Sequence, residues 1–366
     1  MKDLTRSAAL LILALAAPTG AHAQAFDPHK DFSAGPISMR MTPCLLAAKA
    51  HQGTPCPEPQ VRSDGTAAEQ VADHLARARY FIDLEDLPIA AAEADAAIVA
   101  ESGSTSAHHL AARIALTTGD KARAESEIAI ARAQAPDDPD VHATYAAVLE
   151  ARPAPAEALA ELNAVIAQKP DHIYARLERS AIHRQHDNPF AALVDLNFLI
   201  DTDPHNAIYL AMRADTMMKL GRPQEAVSDL TAALEINPRQ FFLLADRARA
   251  HELAGDDSAA MDDLSTILGP VGGPPAYAVG GNQYARFLEQ RAMILVRSHR
   301  LADAATDMIN AITFGGRPAI LRSQVLLRQN GFPEVPLDGK DSPQMHTAIE
   351  ACFGLDSCFA AIKHDI

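Results

Sequence analysis

Four prolines stand 34 residues apart, at Pro136, Pro170, Pro204 and Pro238. A fixed period of this size describes one supersecondary unit, repeated, that cannot bury its apolar face alone and must stack on its neighbours. Other columns obey the same ruler when repeats are set at 71–104, 105–138, 139–172, 173–206, 207–240, 241–274 and 285–318. The eighth position reads Ala78, Ala112, Ala146, Ser180, Ala214, Ala248 and Ala292, all small. The twentieth reads Ala90, Ala124, Ala158, Ala192, Ala226, Ala260 and Ala304, all alanine. The twenty-fourth is apolar throughout: Ala94, Ile128, Leu162, Leu196, Leu230, Leu264 and Met308. Glycines fall at the fifteenth in three repeats, Gly119, Gly221 and Gly255.

Two antiparallel helices per repeat account for these columns. Helix axes 8–10 Å apart admit only small side chains where backbones cross, hence positions eight and twenty. A glycine at position fifteen takes the left-handed state that ends the first helix. A proline at position thirty-two stops the second, lacking an N–H and clashing with the preceding turn. Large apolar groups at position twenty-four fill the gap to the next repeat.

On these columns the chain resembles the tetratricopeptide repeat family over residues 71–318. The resemblance implies an all-α fold, a tetratricopeptide-type α-solenoid built as a right-handed superhelix of helix pairs. It also implies a scaffold for protein–protein interaction, with no cofactor and no catalysis. The family's aromatic at position four is missing; that column holds His74, His108, His142, Arg176, Leu210, Leu244 and Leu288.

Position seven tests the antiparallel arrangement. Arg77, Arg179, Arg213, Arg247 and Arg291 occupy it, and Glu93, Asp195, Asp229, Asp263 and Asp307 follow each by sixteen residues. Antiparallel helices bring the two columns together, so an arginine–carboxylate pair is expected in each of these five repeats.

In the family, first helices line the concave surface, and positions two, five, nine, twelve and thirteen face a bound peptide. Carried onto this chain, the resemblance implies a groove of Arg79, His109, Arg113, Tyr174, Arg184, Asp215, Lys219, Phe242, Arg249, Glu252, Arg286 and Glu289. Arginines along the groove would favour an extended segment bearing carboxylates, through bidentate hydrogen bonds. The other reading, that these arginines pair with neighbouring Asp and Glu, stays open. The Lys/Asn clamp that some family members use for a terminal carboxylate is not recognisable.

No motif carries catalytic chemistry. His251-Glu252 begins like a zinc-protease helix, but Gly255 stands where the second histidine must be. His183 and His186, near His205, read as histidines at a helix end. His74, His108 and His142 are one repeat apart, too far to share a metal whose ligands each lie about 2 Å away. There is no G-x-S-x-G, no Walker loop and no dinucleotide fingerprint. The chain is read as not an enzyme, with no metal.

The flanks carry an address and caps. Lys2 and Arg6 precede an apolar run from Ala8 to Ala17, broken by Pro18, Thr19 and Gly20 and followed by the A-x-A triplet Ala21-His22-Ala23. Residues 1–23 thus read as a signal peptide with a mature start at Gln24, and a periplasmic or secreted protein is expected. The run is too short to span a bilayer, so no membrane insertion is expected after cleavage. Cleavage takes the net charge from −15 to −16, by removing Lys2, Arg6 and Asp3. Such a chain repels phosphate backbones, against nucleic acid as a partner.

Cys44, Cys56, Cys352 and Cys358 are an even number in an exported chain, which points to disulfides. Three pairings exist, and the local ones, Cys44–Cys56 and Cys352–Cys358, are favoured. Neither has zinc-ligand spacing. Residues 24–70 read as a loop-rich N-terminal cap, with one helix at Met39–His51. Residues 275–284 are an insertion before the seventh repeat, and Gly269 to Asn282 reads as a long loop between repeats six and seven. Residues 319–366 form a C-terminal helical segment. There Gln324, Leu327, Gly331-Phe332, Pro336, Asp338-Gly339, Pro343 and Ala348-Ile349 are spaced similarly to small bacterial peptidoglycan-binding helical domains. Ser342 and Met345 replace that pattern's glycine and threonine. The resemblance implies peptidoglycan as an alternative partner; the same segment also serves as the helix that caps a stack.

Overall fold

The computed structural model describes residues 58–353, apart from Pro153, Pro274, Pro275, Ala278 and Val279. Every regular element among them is a helix, and the helices come in pairs at the stride of the sequence. The first four pairs are α1 (Ala67–Asp83) with α2 (Leu87–Ala100), α3 (Thr105–Thr118) with α4 (Lys121–Gln134), α5 (Pro139–Ala151) with α6 (Pro155–Gln168), and α7 (Ile173–Gln185) with α8 (Pro189–Thr202). Then come α9 (Ala207–Lys219) with α10 (Pro223–Ile236), α11 (Phe241–Leu253) with α12 (Asp257–Leu268), and α13 (Gly281–Arg297) with α14 (Leu301–Gln329). A last helix, α15 (Pro343–Phe353), follows. The chain divides into two compact units, one ending at Pro204 and the other beginning at His205.

Local chemistry sets the ends of each helix. Ser104, Asp120, Asp138, Asn188, Asn206 and Asp256 accept hydrogen bonds from the otherwise orphaned N–H groups of the turn that follows. Proline begins α5, α6, α8 and α10, where its missing N–H costs nothing. Second helices end one residue earlier than a proline stop alone requires. Ala135, Lys169, Asp203 and Asn237, which precede the four prolines, have already left the helical region, with φ between −127° and −139°. The proline ring crowds the residue before it, and that is where the helix stops.

The three position-fifteen glycines are left-handed, with φ of 79°, 69° and 81°. Glu85, Asp187 and His299 stand at the same position in other repeats and are also left-handed, with φ of 63°, 54° and 57°. At these six positions the link between paired helices takes this state whether or not glycine supplies it.

The columns close the core. Every residue of positions eight and twenty has 0% exposure, and those of position twenty-four are at 4% or less. Ala124, Ala158 and Ala192 let each second helix lie directly on its partner, while Ile128, Leu162 and Leu196 seal the repeat behind them. At the far end, Leu295, Met308 and Ile312 continue into Ile320, Leu327, Val335, Ile349 and Phe353, so α15 covers the last repeat.

Some boundaries differ from the sequence reading. Helix α1 starts at Ala67, inside the segment assigned as loop, because Thr66 and Glu69 form a reciprocal capping box that extends it upstream. Helix α13 starts at Gly281, so the expected insertion 275–284 is shorter by its last four residues. Tyr284 is buried and its hydroxyl donates to the Leu268 carbonyl at 3.2 Å. Gly316 breaks α14, with φ 55° and ψ −150°, so the final repeat and the capping helix abut without a loop. The signal peptide, the Met39–His51 helix and Cys44, Cys56 and Cys358 lie outside the described residues, and with them both cysteine pairings; Cys352 is buried. No described helix is long and apolar enough to cross a membrane.

Candidate functional site

Stapled helix pairs hold the candidate surface in place. All five expected arginine–carboxylate pairs form. Arg77 Nε donates to Glu93 at 2.9 Å, and the other four arginines grip both oxygens of their aspartates. The distances are 2.8 and 2.8 Å for Arg179–Asp195 and Arg213–Asp229, 2.9 and 2.7 Å for Arg247–Asp263, and 2.6 and 2.8 Å for Arg291–Asp307. Three also reach back one repeat: Arg179 donates to Asn163 at 2.7 Å, Arg247 to Thr231 at 3.3 Å and Arg291 to the Gly269 carbonyl at 2.6 Å.

The sequence reading missed the role of position four. Where position seven lacks arginine, His108 and His142 take its place, with Nδ1 at 2.6 Å from Glu127 and 2.8 Å from Glu161. His74 adds a contact to Glu93 at 2.7 Å and Arg176 one to Asp195 at 2.9 Å. The signal was available in position twenty-three, which is acidic in all seven repeats, Glu127 and Glu161 included. In repeats one to four the family's aromatic is replaced by a basic group with a structural partner.

Within the unit ending at Pro204, α1, α3, α5 and α7 pack successively on one another, and each of α2, α4 and α6 wedges between the first helices on either side. First helices therefore form one continuous layer. Arg79 lies exposed on α1 and makes no hydrogen bond or ion pair with the described residues. Arg113 on α3 lies over the Tyr174 ring, 5.3 Å from its centroid, and burial lowers its pKa. His109 Nε2 meets the Thr144 hydroxyl at 2.7 Å. Burial, reinforced by Arg113, pulls the His109 imidazole down to about 4, so it is neutral. Tyr174 is buried; burial and then the Glu178 charge push its hydroxyl well above the usual phenol range. Arg184 is buried too, so it belongs to the wall rather than the open surface. His172 caps α7 and reaches Asp140 at 3.1 Å, which holds that carboxyl below its usual range.

Within the unit beginning at His205, α9 packs on α11. Asp215 and Lys219 pair with each other at 3.6 Å. Phe242 packs edge-on against Phe241, 6.1 Å between centroids. Arg249 and Arg286 are exposed and make no hydrogen bond or ion pair with the described residues. The two implied acidic positions are occupied internally: Glu252 takes Arg297 at 2.7 Å as well as Gln290, and Glu289 takes Arg322 at 2.8 Å. The expected set thus sorts into exposed cations (Arg79, Arg249, Arg286), more enclosed residues (His109, Arg113, Tyr174, Arg184), one aromatic packed on its neighbour (Phe242) and paired charges (Asp215, Lys219, Glu252, Glu289). Among the described residues no three His, Cys, Asp or Glu side chains gather as metal ligands.

The residues that suggested a cell-wall domain are used inside the fold. Gln324 is fully buried; its amide donates to Asp338 at 3.0 Å and to the Lys340 carbonyl at 3.1 Å, and its oxygen accepts from Gly339 N–H at 3.0 Å. Ser342 caps α15, accepting from Met345 N–H at 3.2 Å. Leu327 and Ile349 lie in the terminal core.

No protein-family model matches the chain, and no curated protein does. Solved structures are similar to it. A tetratricopeptide repeat protein from Parabacteroides merdae is 18% identical over 69% of this chain and 94% of its own, with a TM-score of 0.46. An IFIT1 monomeric mutant with Gppp-AAAA is 12% identical over 81% of this chain and 71% of its own, at 0.55. The APC/C hetero-tetramer Cut9–Hcn1 is 10% identical over 80% of this chain and 55% of its own, at 0.53. At such identities the likeness is one of fold. With helix pairs at a 34-residue stride and small residues at both crossing positions, the fold is an all-α solenoid of tetratricopeptide type.

Proposed function

We propose that the chain is a protein-interaction scaffold that takes an extended, acidic segment of its partner along the inner face of its first helices. The carrying observation is Arg79, an exposed cation with no bonding partner among the described residues, in the electrostatic reach of Arg113 on the next first helix. A guanidinium offers a carboxylate two parallel donors, and a partly dry wall strengthens them. The neutral His109, one turn before Arg113 on the same helix, adds a polar contact without a competing charge. Because the chain as a whole is acidic, at −15, attraction for such a segment is local to this face and sensitive to salt.

A fluorescein-labelled Asp/Glu decapeptide, with its Asn/Gln counterpart as control, titrated by anisotropy tests the reading. The acidic peptide binds more tightly, and Arg79→Ala with Arg113→Ala weakens it about tenfold or more, as loss of a charged hydrogen bond implies. Equal binding of both peptides, or an unaltered double variant, rejects the assignment. Export is part of the proposal and rests on residues 1–23. N-terminal sequencing of the chain from a periplasmic extract reads Gln24 first if it is right, and Met1 if it is wrong.

A further inference from the structure

Position four makes one pair of contacts in three successive repeats, with two different chemistries. Arg176 Nε donates to the Pro170 carbonyl at 2.7 Å while its Nη1 donates to Asp195 at 2.9 Å. His142 has Nε2 at 2.5 Å from the Pro136 carbonyl and Nδ1 at 2.8 Å from Glu161. His108 has Nε2 at 3.0 Å from the Ser102 carbonyl and Nδ1 at 2.6 Å from Glu127. Ser102, Pro136 and Pro170 are all position thirty-two of the preceding repeat. One side chain therefore ties a first helix both to its own second helix and to the end of the repeat before it. His74, with no repeat before it in the register, shows the carboxylate contact alone.

Carbonyl and carboxylate oxygens accept hydrogen bonds and have none to give. The arginine fork serves both at once and permanently. A neutral imidazole has a single N–H and leaves one of the two oxygens facing a lone pair; an imidazole with both nitrogens protonated serves both. We propose that His108 and His142 are proton-dependent staples, doing with two N–H groups what Arg176 does at any pH, and giving up one of their two ties when the second proton leaves to solvent. Placing that proton on the carboxylate instead leaves the same number of protons on the pair. The charged groups around them are few. Arg123 of α4 lies 3.9 Å from Glu127 and also pairs with Asp95 of α2. Arg132 of α4 lies 3.8 Å from Glu161, above the Tyr145 ring.

The sign follows from the proton count. The second tie is present while the ring holds both protons and is lost as rising pH removes one of them. Repeats two and three loosen, while repeats four to seven, stapled by arginine, do not. Long-range ¹H–¹⁵N spectra of the unsubstituted full chain at about pH 7 test this directly. Both ring nitrogens of His108 and of His142 read as protonated; a bare nitrogen on either ring overturns the proposal. Hydrogen exchange supplies the second arm. Between about pH 6 and pH 8, corrected for intrinsic rates, protection of α3–α6 falls in the unsubstituted chain and stays level in His108→Arg/His142→Arg. The same fall in both proteins overturns it, and should the double variant not fold, the spectra decide alone.

Discussion

Replacing Asp307 with alanine is the sharpest test of how the repeats are held. Arg291 is 1% exposed and Asp307 0%, the most deeply buried of the five pairs. Two hydrogen bonds join them, and Arg291 gives a third to the Gly269 carbonyl at 2.6 Å. Removing the carboxylate leaves a guanidinium in the core with one neutral acceptor, which costs about 3–5 kcal/mol. Burial raises the Asp307 pKa in spite of Arg291's hydrogen bonds, so desolvation outweighs attraction there. Arg291→Met with Asp307→Leu is therefore expected to recover most of the loss, since it removes both charges and keeps the volume filled. The equivalent Asp229→Ala, whose arginine keeps 23% side-chain exposure, costs about 1–2 kcal/mol because water reaches Arg213. Urea titrations followed by far-UV circular dichroism give the order. Because repeat arrays depart from two-state behaviour, hydrogen exchange of α13 accompanies them. At about 1.4 kcal/mol per decade, α13 exchange accelerates about a hundredfold or more in Asp307→Ala. A loss below about 1 kcal/mol, or a double variant no better than the single one, refutes the reasoning.

Three further outcomes are expected. His299→Gly relieves a left-handed non-glycine residue and stabilises by about 1 kcal/mol, read as a raised urea midpoint; an unchanged or lowered midpoint contradicts the strain assigned to position fifteen. Gly315→Ala places a Cβ 2.6 Å from those of Ala285 and Ala319 and lowers stability by about 1–3 kcal/mol, whereas a neutral thermal scan would mean the two helices are free to separate. His109, depressed to about 4, contributes stability that is complete above its unfolded value of about 6.5 and lost as pH falls toward about 4; His109→Gln should flatten the acid limb of the stability profile, and an identical limb removes His109 as its cause.

Much of this architecture is legible along the chain. The proline stride, the two small columns and the apolar column each state a backbone requirement that recurs at fixed register, so Ala192 or Leu196 is assigned to the core without reference to any other repeat. The five arginine pairs are legible for the same reason, since antiparallel packing converts a separation of sixteen residues into a contact. The site is less so. Glu252 and Glu289 sit at groove positions, yet each is taken by an arginine, Arg297 and Arg322, 45 and 33 residues further on. No local pattern announces such a partner.

The order of residues alone determined that helices pair, where they cross and which faces are dry, because these depend on side-chain size repeated in step with the backbone. Only the packed structure decided that Glu85, Asp187 and His299 accept the left-handed state, and that His108 and His142 bridge to the preceding repeat. It also decided which cations, Arg79, Arg249 and Arg286, remain exposed. Those outcomes turn on angles and distances between helices, and a one-dimensional register carries spacing but not direction.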